Sequence, residues 1–272
     1  MNREYFGMLT KLMGLLFCLL LSSCSYYSTL YQSSSQNVPL ITSKNEGRIE
    51  AGTGTQNAGI QAAYGIANHL AAMGSFSYGQ VNFPNFFGFI SDGGTTSGYR
   101  MGGDLALGYF TKLDSNKSFE IFGGFERYHR SYDGDSYPEG YMNTFTVSSN
   151  MTKPFIQADL GFQIRSWLQL GLSCRVGYLY FDHYLENGTN MDSTLIAKNF
   201  SITKNLNFSV IDPAITLRLG RKNLKFMFQY GFSFASEYEH SAYYNVGLSY
   251  RFQIKHPKTS KEPKKRKTNF GN

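Results

Sequence analysis

Apolar and polar residues alternate one by one through much of this chain, and this period of two constrains the fold more than any other feature. In residues 224–234 every second residue is Leu, Phe or Tyr, and the residues between them are Lys, Met, Gln, Gly and Ser. The same alternation runs through residues 104–109, 168–180 and 243–252. A strand with two such different faces meets one apolar and one polar environment.

Ten runs of this kind can be placed, joined by tight turns and by longer polar connections. No long stretch shows helical periodicity, and no helical crossover separates the runs, so consecutive strands are predicted to be antiparallel neighbours. The pattern therefore predicts an all-β, antiparallel up-and-down β-barrel of about ten strands. The predicted strands are residues 47–53, 58–66, 69–80, 98–112, 118–130, 151–164, 167–182, 207–219, 224–236 and 242–253.

The composition of the polar face indicates that this face points inward. A strand surface that meets water normally carries Lys, Glu and Thr, because glycine weakens a strand. Small residues instead fit the crowded interior of a narrow barrel, which leaves the Phe, Leu and Tyr face toward lipid. We therefore predict a transmembrane barrel and not a soluble one. The glycines of the polar face are Gly102, Gly108, Gly124, Gly161, Gly171, Gly177, Gly231 and Gly247.

Charged residues on the predicted inner face are nearly balanced, with six acids and five bases. Unpaired charges in a confined lumen are costly, and near-balance allows them to pair. A narrow lumen filled by a charge network is therefore predicted in preference to a conducting pore. Barrel closure further predicts that Arg251 of the last strand lies beside Glu50 of the first. The predicted network comprises Glu50, Arg100, Asp104, Glu120, Glu126, Asp159, Arg175, Asp212, Arg218, Lys225 and Arg251.

The start of the chain carries a lipidation signal. Residues 12–24 read LMGLLFCLLLSSC, an apolar run that ends in two small residues and Cys24, and Arg3 and Lys11 precede it. This order of features resembles the lipobox of bacterial lipoproteins, in which the cysteine is acylated and begins the mature chain. The resemblance implies that residues 1–23 are a cleaved lipoprotein signal peptide and that Cys24 carries palmitate-type acyl chains. The apolar run is too short to span a membrane as a helix.

Two further segments flank the predicted barrel. Residues 24–46 are rich in Ser and are predicted to be a flexible, lipidated linker. Residues 253–272 hold seven Lys/Arg and one Glu, which is most of the net charge of +7, and are predicted to be a disordered basic tail. The barrel between them is close to neutral, which argues against nucleic acid as a partner.

The barrel region, residues 47–252, resembles small outer-membrane β-barrels of OmpX/OmpW-like architecture, and with its lipobox it is similar to lipoprotein barrels of the Bacteroidota, which are Gram-negative. The resemblance rests on the alternation, the even strand count and the aromatic end of the last strand at Phe252 (SYRF). It implies an outer-membrane, cell-envelope location with short turns in the periplasm and long loops outside. It also implies periplasmic chain ends, an anchor at Cys24 in the inner leaflet, outer-membrane lipid as a partner, and a monomer.

Function is less constrained than fold. One class is a structural or surface-interaction barrel that meets an envelope or surface partner through its loops. A second is a conduit or binder for small apolar molecules that enter past the apolar loop at Phe83, Phe86, Phe87 and Phe89.

An enzyme is a more distant alternative. His129 and Ser131, with Glu139 nearby, loosely resemble the His–Ser arrangement of lipid A deacylases, in which an acid orients the pair. The flanking residues differ from that family, so no catalytic residue is assigned. No metal site or cofactor motif is predicted.

Overall fold

The chain folds into a closed barrel of ten antiparallel strands. The computed structural model describes residues 31, 33–55, 57–80, 96–136, 143–189, 207–221, 223–235 and 239–254. Each strand is hydrogen-bonded to its neighbours along the chain, and the first pairs with the tenth. The strands are β1 (Glu46–Gly54), β2 (Ala58–Ala67), β3 (Leu70–Gln80), β4 (Thr96–Lys112), β5 (Lys117–Ser136), β6 (Asn143–Arg165), β7 (Leu168–Thr189), β8 (Phe208–Arg221), β9 (Leu224–Ala235) and β10 (Glu239–Gln253).

All ten predicted strands are present, and three of them are longer than predicted. β5, β6 and β7 extend at one end of the barrel, where Ser136 pairs with Asn143 and Thr144 with Thr189. Most of the added residues are polar, so alternation does not mark them as strand. Backbone pairing needs no apolar face, and the strands therefore continue beyond the apolar band.

The two ends of the barrel differ in their connections. The short connections 68–69, 113–116, 166–167 and 222–223 lie at one end, which we call the short-turn rim. The remaining connections lie at the opposite end, which we call the long-loop rim. β1 begins and β10 ends at the short-turn rim, as predicted from the even strand count.

The outer wall is apolar and the lumen is polar, which is the reverse of a water-soluble protein. Leu105 and Phe125 on the outer wall are 75% and 66% exposed, whereas Arg175 and Asp159 in the lumen are at most 1% exposed. Closure leaves no strand edge, so the backbone groups of the wall are paired within the sheet. These features confirm the predicted transmembrane β-barrel. Separately, no helix among the described residues has the length and apolarity to cross a membrane.

Aromatic side chains gather on the outer wall near both rims. Tyr78 and Tyr99 stack at 6.4 Å between ring centroids near the long-loop rim, and Trp167 and Tyr250 are about half exposed near the short-turn rim. Such belts place amphipathic rings at the two membrane interfaces. Tyr128, also near the long-loop rim, instead faces the lumen and is buried.

Substitution of an apolar wall residue by arginine tests whether the wall lies in a membrane. We expect Leu105→Arg, near the middle of β4 and 75% exposed, to lower the free energy of unfolding in bilayers by about 2–4 kcal/mol, because the guanidinium would enter hydrocarbon. The control is Leu113→Arg in the short turn that follows β4, where a charge can reach water and the expected loss is about 0–1 kcal/mol. Equal losses at the two positions would contradict the assignment.

The segment before β1 is not a solvated linker over its described part. Tyr31 and residues 33–41 are buried inside the barrel, apart from Ser35, which is partly buried. We call Tyr31 and residues 33–45 the lumen segment. The prediction of a flexible linker is wrong for these residues, because side chains of the barrel wall bind them along their length.

Candidate functional site: a lumen that binds its own N-terminal segment

The lumen segment runs along the barrel axis between two apolar layers. Tyr31 lies in the layer nearer the long-loop rim, and Ile41 lies in the layer nearer the short-turn rim. The sequence suggested an inner face of small and charged residues. The two layers show that the inner face also carries large apolar side chains. The residues packed with Tyr31 are Tyr128, Met151, Leu179, Phe208, Val210 and Ala235, and those packed with Ile41 are Ala63, Ala71, Met73, Ala106, Phe110, Phe122 and Phe155.

Tyr31 is held by a buried lysine and its two carboxylates. Lys153 Nζ lies 2.8 Å from Glu126 Oε2 and 2.9 Å from Asp212 Oδ2, and it donates to the Tyr31 hydroxyl at 2.5 Å. The Tyr31 hydroxyl in turn donates to Asp212 Oδ2 at 3.1 Å. This charge cluster therefore includes one end of the lumen segment as a member.

Arg175 extends the same cluster across the lumen. Its guanidinium lies 3.0 Å from Glu126 Oε2 and 3.1 Å from Asp104 Oδ2, and it stacks 4.1 Å from the centroid of the Phe155 ring. The Ser34 hydroxyl donates to Glu126 Oε1 at 2.8 Å. A second residue of the lumen segment is thus bound by a carboxylate that already pairs with three cations, Lys153, Arg175 and Arg100.

Glutamines bind the backbone in the middle of the lumen segment. Gln229 accepts from the Gln36 backbone N–H and donates to the Gln36 carbonyl, both at 2.8 Å. Gln157 donates to the Asn37 carbonyl at 2.6 Å, and Gln61 donates to the Ser35 carbonyl at 3.0 Å. These side-chain amides take the place that a neighbouring strand would fill, so the buried backbone keeps its hydrogen bonds.

Glu120 binds the lumen segment where its backbone turns. Leu40 adopts a left-handed conformation with φ of 52°, which is uncommon for a residue with a branched side chain. The turn presents two successive amides to one carboxylate, and Glu120 accepts from Leu40 N–H at 2.8 Å and from Ile41 N–H at 2.5 Å. Paired backbone N–H donors of this kind satisfy a buried carboxylate well.

Arg218 joins the lumen segment to β1. Its guanidinium makes a bidentate pair with Glu50, at 2.7 Å from Nε to Oε1 and 3.1 Å from Nη2 to Oε2. The same Nη2 donates to the Val38 carbonyl at 2.7 Å. The fixed fork of arginine suits this task, because it can hold a carboxylate and a carbonyl at once.

The lumen segment leaves the barrel at the short-turn rim through a turn at Asn45, with φ of 62°. Glu46 accepts from the Thr42 backbone and hydroxyl at 3.0 and 2.9 Å, and it pairs with Arg251 at 2.6 Å. The predicted pairing of Arg251 with Glu50 is therefore wrong, although β1 and β10 are adjacent as predicted. In the closing register Arg251 lies opposite Arg48. Glu50 lies opposite Ser249, two residue pairs further from the short-turn rim.

Glycines of the inner face make room for the lumen segment. A Cβ atom on Gly161 would lie 2.8 Å from Leu40 Cδ2, and one on Gly171 would lie 3.0 Å from Val38 Cγ1. The sequence explained these glycines by the narrowness of the barrel. The structure gives them a more specific reason, which is the close approach of a second chain segment.

Most of the predicted lumen residues are buried in the lumen as expected. Lys225 and Arg251 differ, because they are only partly buried and lie at the short-turn mouth, where they line a small cavity with Arg48. The mouth also places Arg48 Nη1 3.1 Å from Gln169 Oε1. Sequence reasoning missed the buried charges Glu46, Arg48, Arg130 and Lys153 and the lumen glutamines Gln61, Gln157, Gln169 and Gln229.

The missed residues share the parity of the predicted ones. Glu46 and Arg48 lie on the same inward face of β1 as Glu50, and Lys153 lies on the same inward face of β6 as Asp159. Continuing the period-two pattern to the ends of these strands would have found them. The glutamines also fit the parity, but nothing in the sequence marks them as ligands of a distant segment.

The hydrolase-like residues lie on the outer wall. His129 Nδ1 is 2.8 Å from Asn150 Oδ1, so its described partner is an amide and not a carboxylate. Ser131 lies two residues further along the same strand, and Glu139 lies outside the described residues. The described part of the chain contains no group of three or more His, Cys, Asp or Glu residues that could hold a metal ion.

An open groove crosses the outer wall between β4 and β5, with a volume of about 650 Å³. Met101, Leu105 and Phe125 line its apolar part, and Arg127 and His129 lie at its end toward the long-loop rim. The groove lies on the outer wall, which is the apolar side of the barrel. The predicted ligand loop at Phe83, Phe86, Phe87 and Phe89 lies outside the described residues, as does Cys24.

A charged lumen inside an apolar ten-strand wall defines an outer-membrane type of β-barrel, and its own N-terminal segment fills this one. No protein-family model and no curated protein matches the chain. Solved structures that resemble it include the outer membrane protease OmpT from Escherichia coli, with a TM-score of 0.49 and 11% identity over 76% of this chain and 96% of that one.

Two further solved structures resemble the chain. CarO from Acinetobacter baumannii has a TM-score of 0.40 and 9% identity over 80% of this chain and 100% of that one. A major outer membrane protein from Thermus thermophilus has a TM-score of 0.37 and 13% identity over 76% of this chain and 99% of that one. Function therefore rests on the residues of this chain.

Proposed function

We propose that the protein is an outer-membrane lipoprotein whose barrel is permanently sealed and which serves as a structural or surface-interaction protein. The observation that carries the proposal is the buried lumen segment, which is bound by Gln229, Glu120 and Arg218 at successive levels of the lumen. A conduit needs a hydrated path, and here the axis is occupied by a chain whose backbone is hydrogen-bonded to the wall. The long-loop rim is left as the surface that can meet a partner.

The lumen contacts favour a permanent seal over a gate. Ser34, Gln36, Val38 and Leu40 are each hydrogen-bonded to a wall residue. Release of the lumen segment would leave several buried charged and amide groups without partners, and each such group costs about 1–3 kcal/mol. Opening by thermal fluctuation is therefore rare.

Conductance tests the sealed barrel directly. We expect the refolded chain from residue 24 onward to give no resolvable current in planar bilayers and no swelling of liposomes in sugar solutions. Insertion is verified by the shift in gel mobility between heated and unheated samples. Steady conductance from correctly folded protein would contradict the proposal and would favour the conduit.

Lipidation at Cys24 is the second part of the proposal, and it rests on the lipobox alone. Metabolic labelling with a palmitate analogue is expected to mark the wild-type chain and to be lost in Cys24→Ser. Cys174→Ser is the control, because this exposed cysteine of the outer wall lies far from the signal and its loss leaves the label in place. Labelling that survives Cys24→Ser would contradict lipidation there.

A further inference from the structure

The lumen segment has a direction, and that direction bears on where Cys24 lies. Ile41 packs with Ala71 and Phe110, close to the short-turn rim. Tyr31 packs against Phe208, the first residue of β8, at 6.4 Å between ring centroids and therefore toward the long-loop rim. Traced backward from β1, the chain thus crosses the barrel from the short-turn side to the long-loop side.

The chain before Tyr31 is too short to return through the lumen. Eleven residue steps along β7 lead from Leu168 at the short-turn rim to Leu179, which packs in the same layer as Tyr31. At a rise of about 3.3 Å and a tilt of about 35–45°, this is roughly 26–30 Å along the barrel axis. Seven peptide steps join Tyr31 to Cys24, and such a chain spans at most about 23–25 Å.

The lumen also has no space for a second passage. At the level of Gln36 the lumen segment is hydrogen-bonded to Gln229 of β9, and Ser173 of β7 donates to Gln36 Oε1 at 2.5 Å. At the level of Asn37 it donates to the carbonyl of Ala62 and accepts from Gln157, which lie on widely separated strands. One extended chain therefore contacts the wall in several directions at once.

The described strands around Tyr31 end at different heights. β7 continues ten residues beyond Leu179, the partner of Phe208, whereas β8 begins at Phe208. β9 ends at Ala235, which packs in the same layer as Tyr31. The described strands β8 and β9 therefore end at about the level of Tyr31.

We propose that the barrel carries its own lipid anchor to the outside of the cell, so that the acyl chains of Cys24 enter the outer leaflet of the outer membrane. The inference rests on the proposed lipidation of Cys24 and on the periplasmic placement of short turns in such barrels. It replaces the inner-leaflet anchor that the sequence predicted. The partner of the anchor is then the lipid of the outer leaflet, while the basic tail after β10 stays in the periplasm.

Cysteine accessibility in whole cells tests this topology. In a Cys174→Ala background, Ser28→Cys places a thiol between Cys24 and Tyr31, and Ser260→Cys places the matched thiol in the basic tail. We expect a membrane-impermeant maleimide to label the first variant in intact cells as fully as after permeabilisation. The second variant is expected to react only after permeabilisation.

The remaining outcomes each overturn the proposal in a different way. Protection of both thiols in intact cells would place Cys24 at the periplasmic side. Labelling of the tail alone would show that the barrel has the opposite orientation in the membrane. Gel-mobility shift on heating verifies that each variant is folded, and Thr29→Cys replaces Ser28→Cys if that variant fails this check. Palmitate labelling of the same cells reports lipidation separately, so failure of lipidation and failure of the topology are distinguishable.

Discussion

Deletion of residues 33–42 is expected to convert the silent barrel into a conducting one. These residues occupy the lumen axis, and their removal takes from Glu120 its two backbone donors, Leu40 and Ile41. Glu126 and Arg218 also lose their contacts with the lumen segment. Buried charges without partners are costly, so water and ions will enter to solvate them. The turn at residues 43–45 and all ten strands remain in the variant, which keeps the closing register.

The measurement is single-channel recording in planar bilayers beside the full mature chain. A deletion of residues 255–272 is the matched control, because it removes charge outside the described barrel and is expected to remain silent. Glu120→Ala is a milder test, since it removes the acceptor of two segment amides and is expected to give brief openings. A deletion variant that is folded and still silent would show that the wall side chains alone close the lumen.

The sequence predicted the wall better than the content of the lumen. Strand number, order and facing follow from a local pattern, because the side-chain period of a strand fixes each residue to one face. Arg175 and Arg218 were placed in the lumen on that basis, and their partners Glu126 and Glu50 were placed there too. None of these assignments needed knowledge of a distant contact.

The lumen segment was missed because its composition fits two opposite environments. Residues 33–37 are all polar, as a solvated linker is, and a segment bound by a charged lumen needs the same polar groups. The contacts that distinguish the two join residues far apart in the chain, such as Gln36 and Gln229. Gly161 and Gly171 were the local sign of the lumen segment in the sequence. Why glycine is needed there is clear only from the structure, in which Leu40 and Val38 pack against these two positions.

The closing pair was missed for a geometric reason. Alternation assigns Arg251, Glu50, Arg48 and Glu46 to one face, but it does not fix which residues of β1 and β10 lie opposite each other. The register brings Arg251 opposite Arg48, and the side chain of Arg251 turns to Glu46 instead.

Replacement of Lys153 by Met is expected to destabilise the barrel by about 3–5 kcal/mol, because it leaves Glu126 and Asp212 buried without their shared cation. Both carboxylates lie within 3 Å of Lys153 Nζ, and the side chains of all three residues are at most 2% exposed. The Tyr31 hydroxyl also loses its donor, so the outer end of the lumen segment is expected to loosen. The measurement is urea-induced unfolding in lipid vesicles, followed by tryptophan fluorescence of Trp167.

Lys117→Met provides the matched control for this prediction. Lys117 pairs with Asp114 at 3.3 Å in a short turn, but both side chains are about half exposed, so water and salt screen the pair and its loss is expected to change stability little. The same substitution therefore removes one exposed ion pair at Lys117 and two buried ion pairs at Lys153. Adding Asp212→Asn to Lys153→Met is expected to recover part of the loss, since it removes one of the stranded charges. Equal losses for Lys153→Met and Lys117→Met would mean that water reaches the lumen cluster and that the lumen segment does not seal it.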